Sequence, residues 1–221
     1  MHSRDRFLLL LSLALPLVGQ TANGTIQSTG TASVSATPDE AQFTVSVVTQ
    51  ATTAQAAGQQ NATQTTSLIS ALQSALGTNG NVQTVGYSIS PRYNSGGSSI
   101  VGYTATNTVQ VTTYNLSNVG SFIDIANQAG GNSVSGISFG LKNPDPYVQQ
   151  ALGAAAKQAL THAGAIAGGL GAKAGAVVSA QEGTTYTPIV ASTSPVAVST
   201  PVVTGTVQVT ASVTVTVRLT Q

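Results

Sequence analysis

The sequence predicts an α+β protein, and three features carry that expectation. Several stretches alternate apolar and polar residues, the period of a half-buried strand. Two longer stretches place small or apolar residues at steps of three and four, the period of a helix face. Gly, Pro and Asn fall between these stretches, where the chain must turn. In order they read as hairpin, helix, hairpin, helix–strand–helix–strand and a final strand.

The opening strands cover Ile26 to Ala36, with small or apolar residues at even positions, and Ala41 to Val47, with them at odd ones. Thr37-Pro38-Asp39-Glu40 lies between them with Pro at the second turn position, where its fixed φ suits a tight turn, so a β-hairpin is expected. From Thr52 to Leu76 the period changes. Gly58, Ala62, Thr65, Ile69, Leu72 and Leu76 share one helical face, and Gly77 with Asn79-Gly80 supplies the stop. The apolar stripe is thin in its first half, so this helix depends on docking to a sheet. Val82 to Ser90 and the alternating run Val101, Tyr103, Ala105, Val109, Val111 form a second hairpin around the turn Asn94-Ser95-Gly96-Gly97-Ser98.

A short helix around Phe122 to Ala129 closes at Gly130-Gly131, and Val134 to Leu141 follows as a strand with Gly136 as an irregularity. Asn143-Pro144-Asp145 is a helix start, combining a side-chain cap, a Pro at the first position and a carboxylate at the positive end. That helix runs to about Leu170, with Leu152, Ala155, Ala159, Ala163, Ile166 and Leu170 on one face. Ala174 to Ala180 is a strand, and Glu182 to Pro201, with three prolines, is a long loop expected to be partly disordered. The last segment alternates strictly from Thr206 to Leu219, ~45 Å of strand at about 3.3 Å per residue. Ordinary strands have about five or six residues, so part of this one is expected to reach beyond its own subunit.

Composition narrows the functional classes. Charged residues make up 6% of the 221, against about 25% in a typical soluble domain. So few cations cannot form the basic patch that nucleic acid requires. Residue types suited to general acid–base chemistry are also scarce, which weakens an enzyme reading. The chain opens with Arg4 and Arg6 followed by the apolar run Phe7 to Val18, the pattern of a secretory signal and too short for a membrane span. Residues 1–22 are therefore expected to be an export signal. Beyond it, Arg92, Lys142, Lys157, Lys173 and Arg218 balance Asp39, Glu40, Asp124, Asp145 and Glu182. Net charge near zero favours association, and 31 Thr with 24 Ser must wet the surface in place of charges. The absence of cysteine excludes lipid anchoring through a cysteine, zinc–thiolate sites, thiol catalysis and disulfides.

With these elements in hand the chain resembles the SIMPL-domain family, which includes periplasmic immunogenic proteins of Gram-negative bacteria. The resemblance rests on Thr37-Pro38-Asp39-Glu40-Ala41, Tyr87-Ser88-Ile89-Ser90-Pro91-Arg92-Tyr93, Val101-Gly102-Tyr103-Thr104-Ala105, and the run Ala151 through Leu170-Gly171 with alanines every four residues. It covers about residues 24 to 219 and implies an exported α+β protein of two intertwined subdomains. Within residues 23–221, one subdomain would take 23–115 with 203–221 and the other 116–182, joined by a flexible loop at 183–202. It also implies ring-shaped or channel-like homo-oligomers in the cell envelope and a link to oxidative-stress tolerance. It carries over no catalytic residue. The very low charge and the Pro/Thr/Val loop from Gly183 to Thr204 depart from the family pattern.

Candidate chemistry is sparse. Gly168-Gly169-Leu170-Gly171-Ala172-Lys173 follows a helix instead of leading into one, so it would aim carbonyls at a phosphate, and no nucleotide or other cofactor is expected. His162, the sole histidine beyond the signal, has Asp124, Asp145 and Glu182 as conceivable acid partners at no diagnostic spacing, which makes a hydrolase centred on His162 the least favoured reading. Asp39-Glu40 reads as a turn and not as a metal site. Gly164 and Gly168 are read as a close helix–sheet contact. Tyr87, Tyr93, Tyr103 and Tyr114 on or beside the middle hairpin could face a sugar or another subunit. The leading expectation is a non-enzymatic envelope protein, without metal or catalytic site, whose partners are copies of itself, with envelope components as further candidates. The alternative is a carbohydrate- or protein-binding module using the tyrosine hairpin.

Overall fold

The computed structural model describes residues 24–185 and 204–221. Seven strands and three α-helices run in the order β1 (Thr25–Ala36), β2 (Glu40–Ala51), α1 (Ala54–Leu76), β3 (Gly80–Tyr93), β4 (Ile100–Thr113), α2 (Val119–Gln128), β5 (Ser133–Gly140), α3 (Asp145–Gly169), β6 (Lys173–Thr185) and β7 (Val207–Thr220). Two antiparallel sheets result, a three-stranded one ordered β1-β7-β6 and a four-stranded one ordered β3-β4-β2-β5. The fold is α+β as the patterns predict, with the terminal strand returning to pair with the first.

Sheet membership divides the chain into two lobes. β1, α3, β6 and β7 build lobe one, and the continuous stretch 40–140 builds lobe two as an insertion between β1 and α3. The expected hairpin of the first two strands is not formed. β1 pairs with β7 from Thr25↔Arg218 to Ala36↔Val207 without a break, while β2 pairs with β4 and β5 in the other sheet. Alternation tells a strand which face to bury but not which neighbour to take, and Thr37-Pro38-Asp39 serves as a crossover between sheets. A division into 23–115 with 203–221 against 116–182 therefore cuts across both sheets.

Lobe two has the larger side chains. Phe43, Val45, Val47, Val109, Val111, Leu68, Leu72, Phe122 and Ile123 form one core between its sheet and α1 with α2. Each buried Val, Leu, Ile or Phe contributes about 1.5–3 kcal/mol. The buried face of α1 is Ala57, Asn61, Thr65, Leu68, Leu72 and Leu76, so the expected face is right at Thr65, Leu72 and Leu76 but displaced by one residue at Gly58, Ala62 and Ile69, the last only partly buried beside Leu68. The displacement has a polar cause. Asn61 Nδ2 donates to the Val47 carbonyl at 2.8 Å and the Ala105 carbonyl at 3.1 Å, and Thr65 Oγ1 donates to Asn61 Oδ1. A hydrophobicity count passes over that anchor.

In lobe one α3 buries Ala151, Ala155, Ala159, Ala163 and Ala167 against β1 and β7. The alanines let the helix come so close that a Cβ on Gly30 would collide with the Ala155 carbonyl and the Ala159 amide. Ile166 and Leu170, expected on this face, are exposed, and so are Gly164 and Gly168, which touch nothing on the sheet. Close packing here is the work of the alanine ladder and not of the glycine pair. At the helix start Asn143 Oδ1 accepts the Asp145 amide at 3.2 Å, as the cap signal predicts.

β7 lies in the middle of its sheet, with β1 on one side and β6 on the other, so its length is used within the chain. The expectation that it reaches beyond its subunit is thereby corrected. β6 continues to Thr185, so the first residues of the expected loop are strand, while residues 186–202 of that loop and the export signal at 1–22 lie outside the described residues.

Candidate interaction surface

The β3–β4 hairpin projects past its own sheet. β2 stops at Ala51, opposite Tyr103, so residues 91–102 have no β2 strand beside them. Asn94 shapes the turn: its carbonyl accepts Gly97 N–H at 3.0 Å, its Oδ1 accepts Ser98 N–H at 3.0 Å, and Gly97 takes φ +69°. Further back the hairpin meets the thin first half of α1. A Cβ on Gly58 would sit 3.1 Å from the Tyr87 hydroxyl and 3.2 Å from Ile89 Cδ1, so this helix turn offers the hairpin contact but little cover.

Apolar side chains consequently stay in solvent. Tyr87 is 56% exposed, Tyr93 55%, Val101 53% and Ile100 49%, with Val85 and Ile89 also exposed. The β3–β4 register places Tyr87 opposite Asn107, Ile89 opposite Ala105 and Pro91 opposite Tyr103, so these residues follow one another along one hairpin. Tyr103 is half-buried. Tyr114 does not belong with the other tyrosines. It follows the far end of β4, where the Lys142 ammonium sits 4.0 Å over its ring. From the tyrosines alone, sequence reasoning missed Ile89, Ile100 and Val101, although the thin stripe on α1 was the available sign that neighbouring strand residues would lack cover.

The remaining candidates are dispersed. His162 is exposed on α3, and its Nδ1–H donates to the Thr29 carbonyl at 3.0 Å. One helical turn earlier Gln158 Oε1 accepts the Thr31 amide at 2.6 Å. Both side chains thus serve the unpaired backbone edge of β1, a structural use that the sequence did not announce. Asp145 begins the same helix about 26 Å away at 1.5 Å per residue, Glu182 stands on β6 and Asp124 on α2 in the other lobe. Asp39 accepts the Lys142 amide, and Glu40 accepts Gln42 Nε2 at 2.7 Å. Among the described residues no three His, Asp or Glu side chains gather as a metal-binding group. α3 ends at Gly169 and β6 begins at Lys173, so the glycine run sits at a helix C-terminus. A shallow depression of about 330 Å³ on the outer face of α1 is lined by Gln59, Gln60, Thr63 and Gln64, amides and a hydroxyl only.

Fold and surface define a two-lobed α+β protein, one antiparallel sheet under α3 and the other under α1 and α2, with an apolar hairpin standing out from the second. The chain belongs to the SIMPL family, described as a protein of unknown function (DUF541), which it matches over residues 26–217. It is similar to proteins named "Uncharacterized protein YggE" from Escherichia coli strain K12, Escherichia coli O157:H7 and Shigella flexneri, at 33% identity over 156 residues in each case. The match takes in 70% of this chain and 63% of each relative's length.

Proposed function

We propose that this chain is an exported envelope protein that works by association with copies of itself and not by catalysis. The observation that carries the reading is the hairpin, along which Tyr87, Ile89, Tyr93, Ile100 and Val101 are all exposed. Apolar residues scattered singly over a surface need no explanation, but five gathered on one projecting hairpin favour a partner. A second copy fits because, beyond the export signal, cations and anions balance and little repulsion opposes approach. Export is supported by Arg4 and Arg6 ahead of the apolar run Phe7 to Val18. The dispersal of His162, Asp145, Glu182 and Asp124 over separate elements favours association over acid–base chemistry.

Mass photometry of the mature chain at sub-micromolar to micromolar concentration tests this. Oligomers that dissolve in the double variant Tyr93→Ser/Val101→Ser, with the far-ultraviolet circular dichroism unchanged, are the expected result. A monomer across the whole range refutes it. The exposed rings of Tyr87 and Tyr93 support a second reading, a site for envelope carbohydrate or protein. That reading gains if the variant keeps its oligomers and loses binding to isolated cell-wall material.

A further inference from the structure

Among the described residues, the lobes meet mainly through two short crossings. Strand–strand and helix–strand packing falls within one lobe or the other, and the cores are separate clusters. One crossing is Thr37-Pro38-Asp39, between β1 and β2; the other is Leu141 to Pro144, between β5 and α3. With so small an interface, independent motion of the two lobes is the ordinary outcome.

The crossings are locked to each other. The Asp39 amide donates to the Gly140 carbonyl at 3.1 Å, and Asp39 Oδ1 accepts the Lys142 amide at 2.7 Å, so one residue holds the second crossing on both sides of Leu141. Leu141, 7% exposed, leaves lobe two and packs with Ala36, Val207, Val209, Tyr147 and Val148 of lobe one. Pro38 is buried beside Asp39, and its fixed φ removes a degree of freedom at the crossing. We infer that Asp39 and Leu141 form a clasp that fixes the angle between the lobes, and with it the direction in which the hairpin points. Asp39 clamps the backbone, and Leu141 plugs the joint.

The chain has no cysteine, so two spin labels can be placed cleanly, at Gln60→Cys on α1 and Ala165→Cys on α3, both exposed. Pulsed electron resonance on the full mature chain, diluted with unlabelled protein, reads the distribution of distances between the lobes. A narrow distribution is expected, widening about twofold or more in Asp39→Ala and in Leu141→Ala as the lobes move separately. Asp39→Asn keeps the Oδ1 acceptor and should stay narrow. A broad distribution in the parent, an unchanged one in both alanine variants, or one as broad in Asp39→Asn as in Asp39→Ala overturns the clasp. Circular dichroism on each variant separates a loosened joint from a lobe that has unfolded.

Discussion

Single residues decide how closely the layers approach. A methyl on Gly30 would run into backbone atoms of α3, which cannot swing aside as a side chain can. Gly30→Ala is therefore expected to cost about 1–3 kcal/mol, read as a lower urea midpoint at unchanged slope. Asn61 acts in the opposite sense, as a polar group that holds a core together. Its amide serves two carbonyls on neighbouring strands, Val47 and Ala105, at a point where water has no access. Asn61→Ala strands both acceptors and opens a void, for an expected loss of about 2–4 kcal/mol in the same measurement. Asn61→Leu restores apolar volume but not the hydrogen bonds, so it should recover only part of that loss. Full recovery would show that packing and not the amide is what the site needs.

At the scale of elements, periodicity was a reliable guide to what forms and a poor one to what it touches. α1, α3, the β3–β4 hairpin and the alternation of β7 follow from local spacing, because each element's own geometry repeats in its sequence. The partner of β1 does not, since Ala36 finds Val207 across most of the chain, and nothing near Ala36 distinguishes a hairpin turn from a crossover. The exposed apolar hairpin was legible only through its tyrosines, because exposure of Ile89 or Val101 depends on where α1 runs out of bulk. The edge of β1 was not legible at all. There Gln158 and His162 answer backbone groups that no strand pairs, and an open edge of that kind invites another chain. Replacing both by Ala should speed hydrogen exchange at the Thr31 amide about fivefold, matching the ~1 kcal/mol of one hydrogen bond. It should also raise the aggregation rate on mild heating, followed by light scattering. Unchanged exchange would mean that the helix backbone alone shields the edge.

The whole molecule is an insertion, and insertion makes the stability of the lobes unequal in a particular direction. The ends of lobe two are paired with each other through Glu40 and Gly140, so it keeps its own closure when lobe one opens. Lobe one enjoys no such independence. If lobe two unfolds, the link between β1 and α3 becomes a loop of roughly a hundred residues, and closing it costs about 4 kcal/mol of chain entropy. Core composition points the same way, with Phe43, Leu68, Leu72 and Phe122 in lobe two against an alanine ladder and valines in lobe one. Native-state hydrogen exchange should then show amides of β1 and β7 opening at lower free energy than those of β2 and β4. Two substitutions test the asymmetry. Ala159→Gly, worth about 1 kcal/mol in a helix, should lower protection in β1 and β7 while leaving β4 as it was. Leu72→Ala, worth about 2–5 kcal/mol, should lower protection in β4 while β7 never becomes the better protected of the two, since lobe one borrows its closure from lobe two. Loss of β4 protection in Ala159→Gly, or β7 better protected than β4 in Leu72→Ala, would show that the dependence between the lobes does not run in this direction.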